Sequence, residues 1–412
     1  MEPPPHARRA RWGDLRIRRF QQILNISEGE RLVEFELIEE DKPFRDLAPG
    51  WIDLHRAAVH PTPFMSWEWA SSWWDFFGSG KLHVVAFRRG GRLSGLAPLY
   101  RCDGPWGMST LRQIGAGQSD YLDFLVGPEA GEKGYGDLVL SVLASGDADL
   151  VWLEQVPPDR LATLRDRGRS TGSYFQVKER GHCYIAELPS RWEEYLSGLG
   201  SNERYNIGRR SRTLEKQHGV VFHRYDKPGE DLDRKMDDFF DLMIRRLTMR
   251  GRVLAADETV SRGFHKSIAQ RFAAQGWLNL STLEKDGRMI AGLLSFEYGG
   301  TLFYYHSGFD PAWAKFSVGM VLMAKCIEDG IGRGLRQFDF MRGRAAYKMK
   351  WKVKERSFFR VVIARSMGGY LKFLGHGVAS RLQKNIGRWA GARGGGRDRS
   401  EAVPSAVRGP RI

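Results

Sequence analysis

Apolar side chains recur along this chain with two periods, and the order in which the periods alternate occurs twice. From Arg31 the run RLVEFELIE alternates apolar and polar positions, which predicts a half-buried strand. Residues 45–60 and 64–78 place apolar side chains, several of them tryptophan, at helical spacing. Strands are predicted over 82–87, 92–100 and 121–126, a helix over 131–145, a strongly apolar strand over 148–156, a short helix over 158–168, and two weaker strands up to Leu188. The order then restarts with a strand at 220–225 and helices at 230–250 and 258–275. Strands at 277–284, 288–298 and 301–309 follow, then a helix at 316–332 and strands at 335–341 and 357–365. Polar helical patterns over 191–219 bridge the two series.

Two stretches repeat in letters as well as in period. Gly91-Arg-Leu-Ser-Gly-Leu96 returns loosely as Gly287-Arg-Met-Ile-Ala-Gly-Leu293, each opening a strand as a hairpin turn does. Val126-Gly-Pro-Glu129 and Gly308-Phe-Asp-Pro311 each lead from a strand to a helix. Such self-similarity predicts a duplicated α/β (α+β) unit. The expected organisation is a basic leader (1–30), a first domain (31–188), bridging helices (189–219), a second domain (220–365) and a basic amphipathic tail (366–412).

Composition narrows the class. The chain of 412 residues is 42% hydrophobic and 12% aromatic, enough for two cores. Cys102, Cys183 and Cys326 lack CxxC spacing, which argues against a disulfide framework or a zinc site and suits a reducing compartment. No metal is expected. No apolar run reaches membrane-spanning length, and no apolar stretch follows the N-terminal arginines as in a secretory signal, so a cytoplasmic protein is expected, with at most peripheral contact at an inner membrane. The net charge of +15 is concentrated at the ends. Residues 360–400 hold nine Lys and Arg against the single acid Asp398, and residues 7–20 hold six arginines against Asp14. Such ends suit nucleic acid, anionic lipid or an acidic polymer, but a solvated tail that aids solubility is the expected reading. For residues 368–390 a helix on a membrane surface and a helix packed on the second domain both fit the pattern.

The densest candidate chemistry lies in Phe338-Asp-Phe-Met-Arg-Gly-Arg-Ala-Ala-Tyr-Lys-Met-Lys-Trp-Lys352, a strand that ends in cations and aromatics. Alternation points Asp339 away from Phe338 and Phe340, and a buried carboxylate needs a partner. Arg342, Arg344 and Lys348 are the candidates. Cations gathered at a strand end predict an anionic ligand there.

The element order resembles that of the GNAT acyltransferase fold, in two tandem domains, each a mixed, mostly antiparallel sheet flanked by helices. Pro63-Phe64, Trp67-Glu-Trp69, Trp73-Trp74 and Gly95-Leu-Ala-Pro-Leu-Tyr100 resemble the first half of GNAT proteins linked to cellulose and exopolysaccharide synthesis. So do Gly308-Phe-Asp-Pro311, Ser317-Val-Gly319, Asp339-Phe-Met-Arg-Gly343 and Tyr347-Lys348. Fem-type aminoacyl transferases share the tandem architecture. The resemblance covers roughly residues 31–365. It implies an acyl donor, acetyl-CoA or another acyl-CoA, and an amine or hydroxyl acceptor on a saccharide or cell-envelope precursor. In that fold the donor pyrophosphate sits on amides at a helix start. The matching stretch is Lys315, Ser317, Val318 and Gly319, with Lys133-Gly-Tyr-Gly136 as a first-half rival.

Tyr304, Tyr305, His306 and Asp339 would flank the thioester. One tyrosine would protonate the leaving thiolate while the other packs; His306 would be a base or an ordinary hydrogen-bonded histidine; Asp339 would be a base, an acceptor-orienting acid or half of a structural ion pair. The expected catalytic set is Asp339, Tyr305 and His306, with Arg342, Tyr347 and Lys348 on the substrate and Lys348 stabilising negative charge. Two alternatives stand beside this reading. One is a Fem-type transferase whose donor is aminoacyl-tRNA. The other is a non-catalytic partner of a polysaccharide synthase complex.

Overall fold

The computed structural model describes residues 33–145, 148–249, 251 and 257–377. The expected leader and all of the tail beyond residue 377 lie outside them. The first half runs β1 (Val33–Ile38), α1 (Asp41–Asp46), α2 (Ala48–Ala57), α3 (Trp67–Phe77), β2 (Lys81–Arg89), β3 (Arg92–Asp103), β4 (Ser109–Gln113), β5 (Leu125–Val126), α4 (Gly131–Ala144), β6 (Leu150–Val156), α5 (Arg160–Ser170) and β7 (Tyr174–Glu187). Helices α6 (Trp192–Ser197) and α7 (Ser201–Arg212) form the bridge. The second half is β8 (Val221–Tyr225), α8 (Glu230–Met249), α9 (Glu258–Ala274), β9 (Leu278–Lys285), β10 (Arg288–Tyr298), β11 (Thr301–Phe309), α10 (Val318–Gly332), β12 (Gln337–Arg342) and β13 (Val353–Ala364).

All thirteen strands belong to one sheet, in the order β1-β2-β3-β4-β6-β13-β7-β12-β11-β10-β9-β8, with β5 beside β3. The order is symmetric about its centre. There β13, the last strand of the second half, lies between β6 and β7, and β7, the last strand of the first half, lies between β13 and β12. Each half therefore closes its sheet with the other's strand. The β7–β13 ladder runs from Val353 opposite Ala186 to Ala364 opposite Tyr174.

Local chemistry explains the elements. The β2–β3 and β9–β10 turns place both central residues at positive φ, Gly90 at 53° and Gly91 at 79°, Asp286 at 51° and Gly287 at 75°. That is the turn geometry whose twist matches paired strands. Trp69 and Trp73 are buried, and Trp69 meets Phe264 at 5.2 Å and Phe296 at 5.8 Å, so α3 of the first half is pinned to α9 and β10 of the second. This core covers one face of the sheet; α6, α7 and α10 cover the other.

Two strand expectations change. Of the strand expected over 121–126 only Leu125–Val126 forms. Tyr121 sits at φ 60°, and the Asp123 carboxylate accepts from Phe124 N at 2.8 Å and Tyr135 Oη at 2.9 Å, so side-chain bonds replace the ladder. The two weaker strands before Leu188 are one, β7, and β4 was not anticipated.

Candidate active site

Parallel strands β11 and β12 pair only from Thr301–Phe303 to Gln337–Asp339. Past that point β11 bulges: its register on β10 steps from Leu294 opposite His306 to Ser295 opposite Tyr304, leaving Tyr305 as the extra residue. The β12 register on β7 also shifts between Asp339 and Arg342, with Met341 at φ 59°. The carbonyls freed there are collected by one buried cation. Lys348 Nζ donates to Phe340 O at 2.8 Å and to Met341 O and Arg342 O at 3.0 Å. An ammonium has three hydrogens, so this geometry leaves none for a ligand. Lys348 fixes the strand end instead of facing the cavity, and burial lowers it to about 8.

On the α7–α10 face the divergence opens into a cavity of about 380 Å³. Ser317 and Gly319 at the head of α10, Tyr304, Ser307 and Phe309 of β11, Arg210, Arg246 and Tyr347 all reach it. Ser317 caps α10 at φ 56° without a side-chain bond. First-turn amides have no acceptor within their own helix, and the helix dipole is positive there. A Cβ on Gly319 would meet nothing nearer than Phe309 Cδ1 at 3.9 Å, so the side-chain position of this first-turn residue is open. Val318 is buried behind it. Lys315 is exposed and outside the cavity wall, its Nζ 5.1 Å over the Phe316 ring, while its carbonyl accepts from Arg210 Nη1 at 3.0 Å. Arg246 Nη1 donates to Ser307 O at 3.1 Å and lies 2.5 Å from Ser307 Oγ, which lies 2.5 Å from Tyr304 Oη. Lys350 Nζ, also on the wall, is 3.2 Å from Glu203 Oε1.

The opposite face of the same gap holds the expected catalytic set. Asp339, 2% exposed, accepts a short hydrogen bond from the Tyr121 hydroxyl and one from Met341 N at 2.7 Å. Burial pushes its carboxyl up to about 7, against the downward pull of those two bonds. Arg342 is spent on Asp120, through Nε to Oδ1 at 3.1 Å and through its backbone N to Oδ2 at 3.1 Å. Tyr305 donates to Gln118 O at 2.8 Å, and burial raises its phenol. The His306 ring lies tilted against Tyr305 at 4.1 Å and 5.3 Å from His265; burial and the His265 ring lower it to about 3, and burial lowers His265 to about 4. Both imidazoles are therefore neutral at pH 7.

Gln118, Asp120 and Tyr121 all come from the first half, so the two halves build this face together. Sequence reasoning sought the partners of Asp339 among nearby cations; the structure supplies Tyr121 and Met341 instead. The available signal was the stretch Gly115-Ala-Gly117-Gln-Ser-Asp120, turn chemistry that ends directly in Tyr121.

The corresponding gap of the first half is closed. Strands β4 and β6 pair from Thr110–Arg112 to Leu150–Trp152, and Gln113 fills the space beyond. Its Oε1 accepts from Glu154 N at 2.8 Å and its Nε2 donates to Leu122 O at 3.3 Å. In the rival stretch, Tyr135 is buried and bound to Asp123, which also accepts from Arg160 Nε at 3.0 Å. A Cβ on Gly134 would lie 2.5 Å from Ala130 Cβ, so that glycine serves helix packing. Among the described residues no group of three or more His, Cys, Asp or Glu side chains is placed to hold a metal ion, and no helix is long and apolar enough to cross a membrane.

A mixed sheet of two symmetric halves, each with helices on its faces and one with parallel strands that part over a helix start, defines a tandem GNAT-like fold. Residues 201–349 match the family described as acetyltransferase (GNAT) domain. That segment contains α7, β8–β12, the head of α10 and every site residue expected from the sequence. The chain is similar to the crystal structure of FemX, with a TM-score of 0.56 and 11% identity over 79% of this chain and 96% of that one, a likeness of fold. It is also similar to the C-terminal domain (DUF2156) of a putative lysylphosphatidylglycerol synthetase from Agrobacterium fabrum (TM-score 0.49, 13% identity, 81% of this chain and 96% of that one). A tandem GNAT protein from the clavulanic acid biosynthesis pathway gives 0.46 and 13%, over 80% and 98%. No curated protein sequence matches the chain.

Proposed function

We propose that this protein is an acyltransferase whose donor, an acyl-CoA such as acetyl-CoA, binds in the second-half cavity and whose acceptor is an amine or hydroxyl of a saccharide or cell-envelope precursor, as in exopolysaccharide or cellulose synthesis. The observation that carries the reading is the placement of the α10 head, with Ser317 and an unobstructed Gly319, on a cavity that also receives Arg210 and Arg246. Helix-head amides and guanidinium groups suit the donor's phosphates. The thioester supplies the activated acyl carbonyl.

The rest of the chemistry falls to this chain. Tyr304, on the cavity wall and hydrogen-bonded to Ser307, is assigned to protonate the leaving thiolate. The bulge turns Tyr305 to the other face, where it orients the loop through Gln118. Asp339, part ionised at neutral pH and bonded to Tyr121, is assigned the acceptor's proton. His306, neutral and weakly basic, shapes that face.

The test is thiol release from acetyl-CoA with amino-sugar acceptors. Tyr304→Phe is expected to lower kcat by about 100-fold, the lower range for a lost general acid, with donor affinity unchanged. Unchanged kcat removes Tyr304 from the chemistry.

A further inference from the structure

The helix over residues 367–377 packs across one end of the sheet. Its Phe373 joins Leu150, Val362 and Ala364 in a small core, and the Tyr370 hydroxyl donates to Phe175 O at 3.2 Å. Met367 and Leu371, one turn apart, are turned outward and are 49% and 59% exposed. A further turn along that row stands Gly375, whose missing side chain is replaced by Trp106. A Cβ at 375 would lie 3.2 Å and 3.3 Å from the indole carbons. Trp106 itself is 50% exposed and sits in the β3–β4 turn at φ 54°, a conformation that disfavours a bulky side chain. Its ring is edge-on to His376 at 5.3 Å.

Two segments distant in sequence thus build one outward apolar row, Met367–Leu371–Trp106. Of the ten large exposed hydrophobic side chains among the described residues, three lie in it, so the row is a concentration of exposed apolar surface. On the helix segment itself, residues 365–377, the only Lys, Arg, Asp and Glu residues are Arg365 and Lys372, both basic. Arg365 and Lys372 are exposed on the same segment, and residues 360–400 carry nine Lys and Arg against Asp398.

We propose that this row is a docking face for the surface of an anionic phospholipid bilayer. An indole settles at the headgroup level, aliphatic side chains enter the acyl boundary beside it, and the flanking cations are drawn to anionic lipid. A short apolar row on a segment whose Lys and Arg residues are unopposed by acids of the same segment, and whose sequence continues strongly basic, matches an anionic lipid surface in charge. The inference stands independently of the acyl-transfer reading.

The experiment is co-sedimentation of the full chain with vesicles of equal parts phosphatidylglycerol and phosphatidylcholine, and with phosphatidylcholine alone. Binding to the anionic vesicles only is expected. Leu371→Glu and Trp106→Ala are each expected to lower the partition coefficient about tenfold, the loss of one buried apolar side chain, and Leu371→Glu, at an outward position, to keep the parent's melting temperature. No sedimentation with anionic vesicles overturns the proposal. So does binding that both variants retain, since the cations alone would then suffice. A dimer in analytical ultracentrifugation that Leu371→Glu abolishes would also overturn it, by assigning the row to a second copy.

Discussion

Asp339 is a buried carboxylate of the second half held by Tyr121 of the first. Its burial follows from its place between Phe338 and Phe340 in β12, and alternation correctly turns it away from both rings. Its partner, Tyr121, comes from 218 positions away in the chain. The carboxyl titrates near 7 in the folded protein against an ordinary 3.8. Between those values the folded state holds the extra proton, so stability falls as pH rises through this window, and the loss is complete above about 7. Asp339→Asn removes the titration. Whatever constant cost the amide carries, the melting temperature of the variant relative to the parent is expected to rise from pH 4 to pH 8. A flat difference would mean that Asp339 titrates normally. In turnover the same variant is expected to lose about 100-fold in kcat, the lower range for a lost general base, with donor affinity near that of the parent.

At the scale of elements, the close approach of α8 to β11 positions the cavity's arginine. A Cβ on Gly308 would lie 2.6 Å from Met243 N and 2.7 Å from Leu242 C, both backbone atoms that cannot swing aside. Gly308→Ala is therefore expected to push α8 outward, cost about 1–3 kcal/mol as overpacking does, and weaken donor binding by carrying Arg246 off Ser307. Calorimetric melting and donor titration check both effects; a wild-type melting temperature would show that α8 yields freely. Most elements were legible because their periodicity is strong. The long amphipathic α8 and the apolar α10 fell where the pattern put them, as did the turns at Gly90-Gly91 and Asp286-Gly287. The segment around Tyr121 was not legible. Leu122, Phe124 and Val126 alternate like a strand, yet the Asp123 side chain takes the bonds that a neighbouring strand would have supplied.

Across the whole molecule the repeat was readable and the strand exchange was not. Periodicity reports which residues form a strand and carries no information on which half receives it. With β13 seated between β6 and β7, the first half lacks an internal strand whenever the second is absent. A chain of residues 31–188 alone is expected to show no cooperative melt, whereas the full chain should unfold in one transition; a sharply melting fragment would contradict the shared sheet. The exchange also brings the Gln118–Tyr121 segment of one half against β11 and β12 of the other, so the acceptor face exists only in the assembled sheet.

The central claim is that the head of α10 holds the donor, and calorimetric titration with acetyl-CoA tests it most directly. Gly319→Glu places a carboxylate in open space, so the variant should fold and melt like the parent while losing the heat of binding entirely. Retained heat in that variant would contradict the account and move the donor away from the second-half cavity.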